Sequence, residues 1–136
     1  MYEFFEHTAD LGFRVRAADL PALMTDAARA LFAALVEDPA TIRPRERRQV
    51  CVDADVHDEL LHDWLAELLY LYDVDHLLLT QFDVTVADNH LSATVHGEPF
   101  DGERHELAAE IKAITYHGLS VEQDAAGWTA EVIVDV

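Results

Sequence analysis

Cysteine and lysine are almost missing from this chain. Its one cysteine, Cys51, excludes an intramolecular disulfide. Set in Val50-Cys51-Val52, it is expected to be a buried, inert thiol, the usual habit of free cysteine. No apolar run approaches the roughly 18–20 residues that span a bilayer. The opening Met1-Tyr2-Glu3-Phe4-Phe5-Glu6 lacks the basic stretch of a secretory signal. These absences predict a soluble, cytoplasmic protein with no membrane partner. A P-loop, a GxGxxG turn, a GxSxG elbow and a CxxC pair are missing as well. The chain therefore carries few parts of a self-sufficient enzyme, and a nucleophilic role for Cys51 is poorly supported. Repeats, low-complexity stretches and long linkers are also missing.

Positive charge is scarce. Among 136 residues, 27 are acidic and 9 basic, a formal net charge of −18. Such a chain repels phosphate backbones, so direct, general nucleic-acid binding is not expected. Lys112 is the only lysine, and the other eight basic residues are arginines. A high-salt cytoplasm, where an acidic surface keeps a protein hydrated, gives one reading of this bias. A GC-rich genome that favours Arg and Ala codons gives another. Arg43, Arg45, Arg47 and Arg48 hold half of the arginines in six residues. That run reads as a solvated strand edge or loop, or as a contact for an acidic partner.

What is present suits one domain spanning residues 1–136, since 51% of the chain is hydrophobic and can fill a core. Residues 2–7 and 13–17 read as short strands. Asp19 offers an N-cap and Pro21 a first-turn residue. From there Leu20, Leu23, Met24, Ala27, Ala28, Leu31, Phe32 and Leu35 repeat at helical spacing. A strand is expected over 49–54 and a second helix over 57–72. That helix is the more heavily apolar of the two and is expected to lie deep in the fold. Residues 82–86 and 91–95 alternate about Asp88-Asn89 as a hairpin. Residues 97–104 read as a loop, and 105–110 as a short helical turn. Strands follow over 111–116, 119–122 and 128–134. The pattern predicts an α+β fold, with two helices packed on mainly antiparallel sheet in a single layered domain.

Few residues could carry chemistry. Asp10, Asp135 and the terminal carboxylate of Val136 are hard oxygen donors, suited to Ca²⁺, Mg²⁺ or Mn²⁺. Spacing alone does not bring residues 10 and 135 together, and Asp10, close before Gly12, otherwise reads as a turn residue. His7 and His117 lie at strand edges, where a histidine can move a proton, ligate a metal, or simply complete a turn. His57 and His62 read as surface residues, since no HExxH arrangement surrounds them. Lys112 alternates with Ile111 and Ala113. Its singularity points toward function, because an ammonium and a guanidinium do different work.

Five segments carry a family resemblance over essentially the whole chain. They are His7-Thr8-Ala9-Asp10-Leu11-Gly12, Trp64-Leu65-x-Glu67-Leu68-Leu69-Tyr70, Gly97-Glu98, Glu110-Ile111-Lys112-Ala113-Ile114-Thr115-Tyr116-His117, and the ending from Gly127-Trp128 to Asp135-Val136. In this order they resemble archease. The resemblance implies a small α+β protein that is an activator rather than an enzyme. It would assist an RtcB-type RNA ligase in tRNA splicing and RNA repair, promoting GTP-dependent guanylylation of the ligase and multiple turnover. It also implies a divalent metal site, described as calcium, whose matching positions are Asp10, Asp135 and Val136. Lys112 and His117 match a family motif to which no role is carried over. Two other classes stand beside this one: a general protein-interaction or chaperone-like module, and a metal-dependent hydrolase, disfavoured because no nucleophile–base pair is visible.

Salt adaptation makes a measurable prediction. Self-repulsion is less screened below about molar salt, so the thermal midpoint should fall between molar and low salt. A melt that does not change over that range would reject the reading.

Overall fold

The structure is a computed structural model describing residues 1–7 and 10–136, with His7 described through its backbone alone. The tip of the first motif, Thr8-Ala9, and the His7 side chain lie outside the described residues.

The first strands, β1 (Tyr2–His7) and β2 (Asp10–Ala17), pair antiparallel from Tyr2↔Val15 to His7↔Asp10. Helix α1 (Leu20–Leu35) follows. Its start is as expected: the Asp19 carboxylate accepts the Ala22 N–H at 2.8 Å, with Pro21 in the first turn. A 3₁₀ turn (Pro39–Thr41) leads to β3 (Glu46–Asp53), then α2 (His57–Asp75), β4 (Leu77–Ala87) and β5 (His90–Pro99). The chain closes with β6 (Ala113–Ile114), β7 (Ser120–Asp124) and β8 (Gly127–Asp135). Two antiparallel sheets result. One has the order β1-β2-β8-β6, with β7 also on β8; the other has the order β3-β5-β4. The α+β reading holds.

Helix α1 contacts β2 of one sheet and β4 of the other. It is buried around most of its circumference, from Leu23 to Leu35. The second helix is buried on one face only, through Leu60, Leu61, Trp64, Leu65, Leu68 and Leu69, while Tyr70 and Val74 are exposed. The second helix therefore lies deep along that one face, as expected, while α1 is the more completely buried of the two. Its small alanines, Ala27, Ala28, Ala30 and Ala34, are all buried in that packing. The helices are tied where the Trp64 Nε1–H donates to the Met24 carbonyl at 2.9 Å.

Several local expectations are corrected. Cys51 is exposed. The period of two along β3 turns Val50 and Val52 inward and Cys51 outward, so strand geometry overrides the burial habit of cysteine. Strand β4 begins at Leu77, because His76 takes a left-handed conformation (φ 54°) and turns the chain directly out of α2. Residues 97–99 belong to β5 rather than to a loop. A Cβ on Gly97 would collide with the Leu78 carbonyl, so this position admits only glycine. Residues 105–110 form no helical turn. They run beside the end of α1, where Glu37 N–H donates to the Glu106 carbonyl and Ala108 N–H to the Leu35 carbonyl, both at 2.8 Å. Of the expected strand 111–116, only Ala113 and Ile114 pair with β8.

Sequence reading also missed a buried carboxylate. Glu98 is 3% exposed and fully engaged. Its Oε2 accepts the Arg43 N–H at 2.7 Å and lies 3.1 Å from His105 Nε2, while Oε1 takes the Arg104 guanidinium. His105 Nδ1 accepts the Asp101 N–H at 2.9 Å, so the ring proton sits on Nε2 and points at Glu98. The Arg104 hydrogen bond, with the Arg43 and His105 bonds, outweighs burial and holds the Glu98 pKa down at about 2.

Because that pKa is depressed on folding, the stability it confers is complete above the ordinary glutamate range and lost as pH falls from about 4.5 toward 2. Glu98→Gln should cost about 2–3 kcal/mol at neutral pH, from lost charge-assisted hydrogen bonds. In denaturant melts, the gap between the wild-type and variant proteins should narrow over that acidic window. A constant gap would show that Glu98 is not the titrating group.

Candidate functional site

Strands β2 and β8 pair in register from Asp10↔Asp135 to Ala17↔Trp128. Phe13 and Val15 face the core with Ala130, Val132 and Val134. Alternate residues therefore project from the other face of the sheet. There Arg14 is answered by Glu131, at 2.7 Å, and by Glu3, at 3.0 Å, and those hydrogen bonds raise its pKa further. Farther along the same face, Asp10 stands opposite Asp135. Side chains directly opposite have Cβ atoms about 4.5–5.5 Å apart, and like charges placed so repel. Neither residue is fully buried, and exposed Val136 follows Asp135. Residues 10 and 135, which spacing could not connect, are cross-strand neighbours. Asp10 is the first residue of β2 rather than an isolated turn residue.

The motif containing Lys112 closes the other side of Asp135. Ala113 is its register partner on β6, and the Lys112 N–H donates to the Asp135 carbonyl at 2.7 Å. Lys112 itself is exposed. At sheet level, His7 is the register partner of Asp10, so positions 7, 10, 135 and 113 form one row across four strands. His117 is exposed in the turn after β6, where Gly118 takes a positive φ of 67°. Where Asp10 meets Asp135, two side-chain carboxylates offer oxygen donors, which suit a hard cation. Among the described residues, no three His, Cys, Asp or Glu side chains cluster to hold an ion. A cation here would need further oxygens, from backbone carbonyls or water, to complete its shell.

His62 is the residue that sequence reading missed. Its side chain is only 16% exposed, not on the open surface. Its ring stacks on Tyr116 with centroids 3.9 Å apart and planes 13° apart. The nitrogens lie 2.9 Å from Asp63 Oδ1 and 3.0 Å from the Ile114 carbonyl. His62 thus clamps α2 to the 111–117 segment. Partial desolvation, with Asp63 and Glu59 nearby, raises the Tyr116 hydroxyl pKa. The helical position of His62 hinted at an inward side chain, but nothing local named Ile114 as its partner. His57 meets Trp128 edge-on at 5.2 Å.

The model of the Archease protein family matches residues 2–136. The archease of Methanopyrus kandleri is 37% identical, with 99% of each chain covered. That of Methanosarcina acetivorans is 36% identical, over 99% of this chain and 95% of its own. The solution structure of Methanobacterium thermoautotrophicum protein 1598 is 34% identical and superposes with a TM-score of 0.87 over 99% of this chain and 98% of the other. A Thermotoga maritima crystal structure, described as an archease and possible chaperone, shares the fold at 21% identity and a TM-score of 0.68, over 97% of this chain and 94% of its own.

The clamp predicts a local effect. His62→Ala removes the stack and the bond to Ile114, so amide exchange over residues 111–117 should accelerate by about tenfold or more, while the α1 core is unchanged. Equal protection in both proteins would deny His62 that role.

Proposed function

Because this chain belongs to the archease family, we propose that it is an activator protein for an RtcB-type RNA ligase. In this reading it promotes GTP-dependent guanylylation of the ligase and its multiple turnover in tRNA splicing and RNA repair, and joins no RNA itself. The observation that carries the site is the register that sets Asp10 opposite Asp135, one residue before Val136. Asp10, Asp135 and the Val136 terminal carboxylate would hold a divalent cation, Ca²⁺ first and Mg²⁺ or Mn²⁺ as alternatives. Bound there, the cation would supply a localised positive charge on a strongly acidic protein. The two strands hold the carboxylates in place, and the backbone bond from Lys112 fixes the end of β8. Exposed Lys112 and His117 belong to the segment beside the site, and His7 to its strand row; these three are the further candidates for contact with the ligase.

The net charge supports action on the ligase rather than on RNA, since 27 acidic residues disfavour a direct hold on phosphates. Among the described residues no helix is long and apolar enough to cross a membrane, which accords with work in the cytoplasm beside a cytoplasmic ligase. A general chaperone-like module is the second reading, and the possible-chaperone description of the Thermotoga protein favours it. A stand-alone metal-dependent hydrolase is the third.

One experiment separates them: the protein is mixed with its ligase, GTP and a broken RNA. More than one product per ligase, with no RNA processing by this protein alone, is the expected result. Asp10→Ala should abolish the stimulation and Ca²⁺ binding by calorimetry, while leaving the thermal midpoint within a few degrees. Deleting Val136, which moves the terminal carboxylate, should weaken both. Full stimulation by a well-folded Asp10→Ala protein would remove the site from the mechanism.

A further inference from the structure

A second polar feature lies in the other sheet. Arg43, Arg45 and Arg47 are all exposed, and none has an ion-pair partner among the described residues. This is unexpected in a chain with 27 acidic residues. Their neighbour Arg48 does find Glu46, at 3.2 Å. The backbone beneath the three is anchored. Arg43 N–H donates to buried Glu98 at 2.7 Å, and Arg45 N–H to the Gly97 carbonyl at 3.0 Å. The held backbone lowers the ordering cost of binding, and the uncommitted guanidiniums stay available to a partner.

Its surroundings narrow the ligand. Strand β3 pairs with β5 alone, and its opposite edge carries no strand among the described residues. An open edge offers backbone donors and acceptors to an extended chain. We infer that the Arg43, Arg45 and Arg47 strip beside the β3 edge docks an acidic, extended segment of a partner protein, which adds to β3 as a further strand. Carboxylates on alternate residues would meet the guanidiniums in forked, two-point contacts.

Other occupants fit less well. Single-stranded RNA would want rings to stack on, yet the outward face beside Arg47 carries His96, Gln49, Thr94, Cys51 and Ser92, a single imidazole and no Phe, Tyr or Trp. The net charge of −18 also opposes RNA. Edge protection against aggregation explains a charge on β3. It leaves unexplained why Glu98 anchors Arg43 while the nearby guanidiniums stay unpaired. The inference does not depend on the ligase reading, and its test contains no ligase.

The probe is a ten-residue peptide alternating Glu and Thr, titrated into the ¹⁵N-labelled full chain at low salt. Amide shifts over residues 43–53 are expected, lost in molar salt and absent with the Gln–Thr analogue. The R43E/R45E/R47E variant should bind at least about tenfold more weakly. If it fails to fold by circular dichroism, R43Q/R45Q/R47Q replaces it. Unmoved β3 signals at millimolar peptide would overturn the proposal, as would equal binding by the folded variant. Preferential binding of a U₁₀ oligonucleotide to the strip would reassign it to RNA. A dimer in gel filtration that the variant abolishes would reassign it to a second copy, and either result rejects the proposal.

Discussion

The pairing of β2 with β8 is the constraint on which the rest depends. It joins residues as far apart as Arg14 and Glu131, separated by 117 positions. Bringing such distant segments together costs loop-closure entropy, which local preference cannot repay. Burial on the inward face repays it, through Phe13 and Val15 beside Ala130, Val132 and Val134. The strand period then dictates what the outward face receives. Arg14 meets Glu131, and Asp10 meets Asp135. The core and the candidate site are two sides of one register. A slip of one residue would bury the carboxylates and expose the core.

The smaller sheet solves a different problem. Its central strand β5 ends in Gly97-Glu98, a close backbone approach followed by a buried charge. Such a charge is tolerated only when its hydrogen bonds are complete, and Arg43, Arg104 and His105 complete them. The cluster draws the segment before β3 and the loop after β5 onto one carboxylate. It also concentrates positive charge at one sheet edge of an otherwise acidic molecule.

Both helices were legible in periodicity, and α1 even in its cap, because helix signals lie within a few residues of each other. The hairpin at Asp88-Asn89 was legible for the same reason, with Asp88 taking the positive φ (49°) that such turns require. Residues 105–110 were misread because the backbone bonds of Glu106 and Ala108 go to Glu37 and Leu35, outside any local window. Cys51 was misread by weighing residue type over strand period. His62 looked like surface because its partners, Ile114 and Tyr116, come from a segment some fifty residues on. In the candidate site the donors were legible as residue types, since Asp10, Asp135 and Val136 could be named as oxygen ligands from chemistry alone. Their meeting was not legible.

Local order therefore settled the elements, the charge balance and the supply of possible ligands in this protein, because propensity, capping and ionisation belong to single residues and near neighbours. Only the tertiary structure decided which helix is the more completely buried, which charges are buried, and that Asp10 faces Asp135 across a strand pair. Those outcomes depend on register between distant segments, and register is selected by the burial of a whole sheet face rather than by any residue on it.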